Sequence, residues 1–137
     1  MAPDMIIREY HDRRRAILSI LDIARPDLNR SALDAWPAIA VHRQKLSDAM
    51  QTFQQFKHAN IFDPIIAGDR NDKMIAAELK ADCVMLGNQY DTFRRRWTST
   101  EAQDNWPKYR LSAIAMMTTI RKSFAEQDAT VRTLNLA

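Results

Sequence analysis

The chain has 137 residues, with 20 lysines and arginines against 17 acidic residues, three histidines, one cysteine and two glycines. That length suits one domain able to bury about two thirds of its unfolded surface, and the single cysteine, Cys83, excludes an internal disulfide. The +3 formal charge rests on runs such as Arg13-Arg14-Arg15 and Arg94-Arg95-Arg96; without aromatic interleaving, a Gly-rich loop or zinc-finger spacing these read as solvated faces and not as a nucleic-acid interface.

No charged-then-apolar leader and no apolar run of about 18 residues is visible, so a cytoplasmic protein without membrane contact is expected. Few glycines and abundant Ala, Leu, Met, Gln, Lys and Arg predict an all-α fold. Asp4 can cap a first helix running to about Ala24, where Arg25-Pro26 stops it. Ser31 opens a short turn, and Pro37 suits the first position of a second helix that reaches about Asn60. Residues 61–69 read as an apolar-ended connection closed by Arg70-Asn71-Asp72, with Asp72 capping a third helix to Trp97. Thr98-x-x-Glu101 has capping-box spacing, and Trp106-Pro107 begins the body of a fourth helix ending near Leu134.

Winding these segments at about 100° per residue gives four apolar stripes. They are Ile7, Tyr10, Ile17, Leu18, Leu21 and Ala24; then Ile39, His42, Leu46, Ala49, Met50, Phe53 and Phe56; then Ile75, Leu79, Cys83, Leu86, Tyr90, Phe93 and Trp97; and finally Trp106, Tyr109, Ala113, Met116, Met117, Ile120, Phe124, Val131 and Leu134. Short connections between such helices favour an antiparallel up-down four-helix bundle formed by a single domain, residues 1–137. Arg14, Lys57, Asp82 and Gln127 fall within or beside the apolar stripes. Two arrangements are open for them: separate snorkelling to solvent, or convergence into one buried polar cluster whose members satisfy each other.

Tyr10-His11-Asp12 followed by Ile17-Leu18 and Leu21 resembles the opening helix of hemerythrin-like domains. The run from Phe53 to Lys57-His58 with the Ile61-Phe62-Asp63-Pro64 exit is similar to that family's second-helix end, where a His-x-x-x-Glu pair precedes an aliphatic-aromatic-proline exit. Trp97 and Trp106 flank the last connection as in a bacterial branch of the family, and residues 123–128 fall where its last His-x-x-x-Glu pair would lie. The resemblance covers about residues 5 to 134 and implies a bundle whose relatives hold two irons.

Most of the ligands that the resemblance calls for are missing. At the second-helix pair the match gives Phe53 and Lys57, or Gln54 and His58 if the exit is aligned without an insertion; at the last pair it gives Ser123 and Gln127. His11 alone matches a ligand position, so His11 and His58 are weak metal candidates and no di-iron centre is expected, since each iron needs imidazoles and carboxylates from several helices. The expected function is a non-catalytic binding or regulatory module with no cofactor, an unknown protein or small-molecule partner and a homodimer as one assembly. The other readings are an iron-binding oxygen or redox sensor and, from His42-x-x-Lys45 and Arg8-Glu9-Tyr10-His11-Asp12, a histidine phosphotransfer bundle. Leu46 stands where phosphotransfer proteins carry a small residue, and no nucleophile, base and orienter constellation recommends other catalysis.

Overall fold

Helix formers carry nearly the whole chain into helix in the computed structural model, which describes residues 1–134 and 136, and no strand occurs among the described residues. The α-helices are α1 (Pro3–Ala24), α2 (Ala32–Lys57), α3 (Asp63–Ala67), α4 (Lys73–Arg96), α5 (Ser99–Asp104) and α6 (Trp106–Val131). A 3-10 turn, Arg25–Asn29, joins α1 to α2, and a π turn, His58–Phe62, joins α2 to α3.

Several boundaries differ from those expected. Pro3 occupies the start of α1, so Asp4 lies inside the first turn, where it complements the helix dipole instead of capping it. Ser31 is the cap of α2 itself, accepting from the Asp34 N–H at 3.3 Å, which begins the helix at Ala32 and leaves Pro37 inside it. The bond lost at Pro37 falls near the exposed Leu33, at the solvated end of the helix. Asp72 precedes α4 without a side-chain cap bond, because its carboxylate is taken by Arg70 at 2.9 and 2.6 Å. Thr98 does cap α5, accepting from the Glu101 N–H at 3.2 Å, but the Glu101 carboxylate turns to Arg96 at 3.5 Å and leaves the reciprocal half of the capping box unmade.

The expected connection 61–69 is helical over most of its length. The Asp63 N–H reaches the His58 carbonyl five residues back, so one additional residue enters the turn and both Ile61 and Phe62 face the core. α2 packs on α1 and α4, and α6 packs on α4 and α1, placing the four long helices in a closed ring of neighbours. The larger core joins Tyr10, Ile17, Leu21, Phe53, Leu86, Ile120 and Phe124. A smaller one at the α5 end gathers Leu28, Ile39, Trp97 and Tyr109. Trp97 donates to Ser112 Oγ at 3.0 Å and Trp106 to the Arg30 carbonyl at 2.9 Å, while Arg43 spans the Trp36 and Tyr109 rings and donates to the Trp97 carbonyl. At the start of α4 the inward position belongs to Ala76, not to Ile75, which is 37% exposed.

Candidate functional site

Lys57 is the last residue of α2, one turn after Phe53, so an α-helical repeat that buries the phenyl ring also carries the lysine inward. Its side chain is 3% exposed. Nζ donates to Gln127 Oε1 at 3.2 Å and stands 4.1 Å from the centre of the Phe53 ring and 5.5 Å from that of Phe124. Two ring faces and one amide oxygen thus replace part of the ammonium's water shell. Burial nevertheless pushes the Lys57 pKa below its ordinary 10.5, a shift opposed by the neighbouring Cys83 thiol. No carboxylate forms an ion pair with Lys57 among the described residues, and the buried Gln127 Nε2 finds no partner there either.

The four polar residues at the apolar stripes do not form one cluster. Lys57 and Gln127 meet, whereas Asp82 is exposed because Cys83, about 100° further round α4, takes the inward position. Arg14 is half-buried and belongs to a second group, where its charge acts on Asp128 and its own Nε lacks a hydrogen-bond partner. Asp128 is the residue that sequence reasoning missed. The Tyr10 hydroxyl donates to its Oδ1 at 3.2 Å and Arg132 Nε to its Oδ2 at 2.9 Å. Burial raises the Asp128 carboxyl, but the Arg132 bond, the Arg14 charge and the Tyr10 bond outweigh it and leave the pKa below its usual value. Two signals pointed there: the inward phase of Tyr10, whose hydroxyl needs a partner when buried, and the Asp128/Arg132 spacing of one helical turn.

The histidines lie apart. His11 is half-buried with its ring edge-on to Tyr10 at 5.1 Å, and His58 tilts against Phe62 at 5.8 Å. Burial and the Lys80 charge lower the His58 pKa, with Asp63 opposing them. His42, expected in the core, is half-buried beside the 3-10 turn, with Nε2 4.0 Å from Asp27 Oδ2. No group of three or more His, Cys, Asp or Glu side chains is placed to hold a metal among the described residues. The ammonium, amide and phenyl groups around Lys57 do not fit an iron pair.

Beside Lys57 a cleft of about 410 Å³ opens between α2 and α4, with Phe124 of α6 on its lining. Met50, Gln54 and Lys57 line it from α2, and Cys83 and Leu86 from α4. Gly87 has a local reason to stand within the unbroken α4: a Cβ there would lie 2.6 Å from Gln54 Oε1, so glycine lets the amide fold against the helix. At one end Ser47 and Tyr90 share a hydroxyl hydrogen bond of 3.0 Å.

These environments predict an alkaline signature. Lys57 is protonated in the unfolded chain up to about its ordinary 10.5 but loses its proton earlier when folded, so stability rises with pH between the lowered folded value and 10.5. Tyr10, Tyr90 and Tyr109, raised by burial above their ordinary 10.0, keep protons that the unfolded chain releases, so stability falls above about pH 10. Urea unfolding followed in pH steps should show the rise in the wild type and not in Lys57→Met; a rise of equal size in both would refute the assignment to Lys57.

No helix of the described residues is long and apolar enough to cross a membrane. Comparison of the chain with protein-family models, with curated proteins and with solved structures found no match.

Proposed function

We propose that the chain is a non-catalytic binding module built on an antiparallel up-down four-helix bundle of hemerythrin-like type, in which protein side chains occupy the interior where relatives of that type hold iron. The observation that carries this reading is the buried Lys57 ammonium, which bonds Gln127 at 3.2 Å. In the alignment that keeps helical phase, Lys57 stands where a bridging glutamate belongs and Gln127 where another carboxylate does. A cation and an amide at those two positions repel or fail to bridge a metal pair. The ring order of α1, α2, α4 and α6 is compatible with the bundle topology.

The deciding experiment is elemental analysis of protein purified without chelators, followed by aerobic addition of ferrous iron. The expected result is less than stoichiometric iron and no oxo-bridged di-iron absorption band. Two irons per chain would replace this reading with that of an iron-dependent oxygen or redox sensor.

A further inference from the structure

We propose that the cleft between α2 and α4 binds a small monocarboxylate with an apolar body, its carboxylate capping the Lys57 ammonium and its body lying against Met50, Leu86 and Phe124. The inference rests on the reading of the chain as a binding module and names the ligand class. Lys57 has three N–H donors, and Gln127 uses one. A buried cation without an acidic partner remains incompletely compensated, and a ligand carboxylate would supply the missing charge and acceptors together.

The surrounding groups favour one negative charge over several. Asp48 and Asp91 line the same cleft; Asp48 accepts from Gln44 at 3.0 Å and Asp91 from Arg94 at 3.4 Å. Two rim carboxylates against one rim guanidinium oppose a phosphate dianion but tolerate a monoanion that reaches the lysine. One further polar group lacks a protein partner: the His58 Nε2 is buried and unbonded among the described residues, and the Gln54 amide, given room by Gly87, lines the same cleft. A cleft of about 410 Å³ with a few converging polar groups over phenyl and aliphatic walls has the dimensions of a small-ligand site.

Calorimetric titration of iron-free protein with octanoate, 1-octanol and inorganic phosphate tests the assignment. Octanoate should bind once per chain, at least tenfold more tightly than either control, and more tightly at pH 7 than at pH 10 because binding favours protonated Lys57. The Lys57 side-chain NMR signal should move when octanoate is added. Lys57→Met should weaken octanoate binding at least tenfold, and Gly87→Ala, which forces the Gln54 amide to shift, should weaken it while leaving the helix content intact. Equal binding of octanoate and octanol, tighter binding of phosphate, or unchanged affinity in Gly87→Ala with a static Lys57 signal would overturn the proposal. Each of those results is separable from iron uptake, which tests the binding-module reading itself.

Discussion

Replacing Phe53 by alanine is expected to destabilise the protein by about 3–5 kcal/mol. The ring is 2% exposed and packs against Tyr10 and Phe124 with centre distances of 5.6 and 5.5 Å. Its removal opens a cavity between α1, α2 and α6 and takes away the nearer ring face over the Lys57 ammonium, 4.1 Å away. Transfer, cavity and cation terms therefore act in the same direction. Chemical denaturation of the variant checks the expectation, and a loss below about 1 kcal/mol would remove Phe53 from the core, since even surface changes reach about half of that.

Lys57→Ala is expected to cost about 2–3 kcal/mol, although it removes a desolvated charge. Gln127 Oε1 would lose its donor while Nε2 already has no partner, leaving the whole amide buried without hydrogen bonds. The loss of the lysine stem also empties space beside Phe53 and Phe124. The double variant Lys57→Met, Gln127→Leu should behave in the opposite way, folding with unchanged or slightly greater stability, because apolar groups of similar volume often replace a buried polar pair without loss. A double variant as unstable as Lys57→Ala would show that the polar pair is required for folding rather than tolerated by it.

The core was largely legible because period alone determines which residues of a long helix face inward. Leu21, Phe53, Leu86, Ile120 and Phe124 share the larger core, with Leu46 half-buried against it. The same phase put Lys57 and Gln127 inside, where they meet. Phase is least reliable near element ends and at stripe borders, which is where Ile75 and Asp82 depart from expectation; His42, read at the centre of its stripe, is half-buried beside the 3-10 turn instead. The π turn changes the period within five residues, and a constant angle per residue cannot represent that change. With an additional residue absorbed at His58–Phe62, Phe53 and Lys57 are buried and Ile61 and Phe62 are buried as well. Asp128 stayed hidden because its Tyr10 partner lies on α1, 118 residues away, and the local Asp128/Arg132 spacing alone does not show that the carboxylate faces inward.

The ring of helices also favours one order of assembly. α1 with α2, α2 with α4 and α4 with α6 are neighbours along the chain as well as in space, so each pairing closes a short loop at low entropic cost. The return of α6 onto α1 and across to α2 joins the segments most distant along the chain: Lys57 and Gln127 are 70 residues apart, and Tyr10 and Asp128 are 118. Both polar contacts of the interior are therefore expected to form when α6 docks last. Their strength resists the departure of α6 and so governs how long the folded state lasts more than how quickly it is reached.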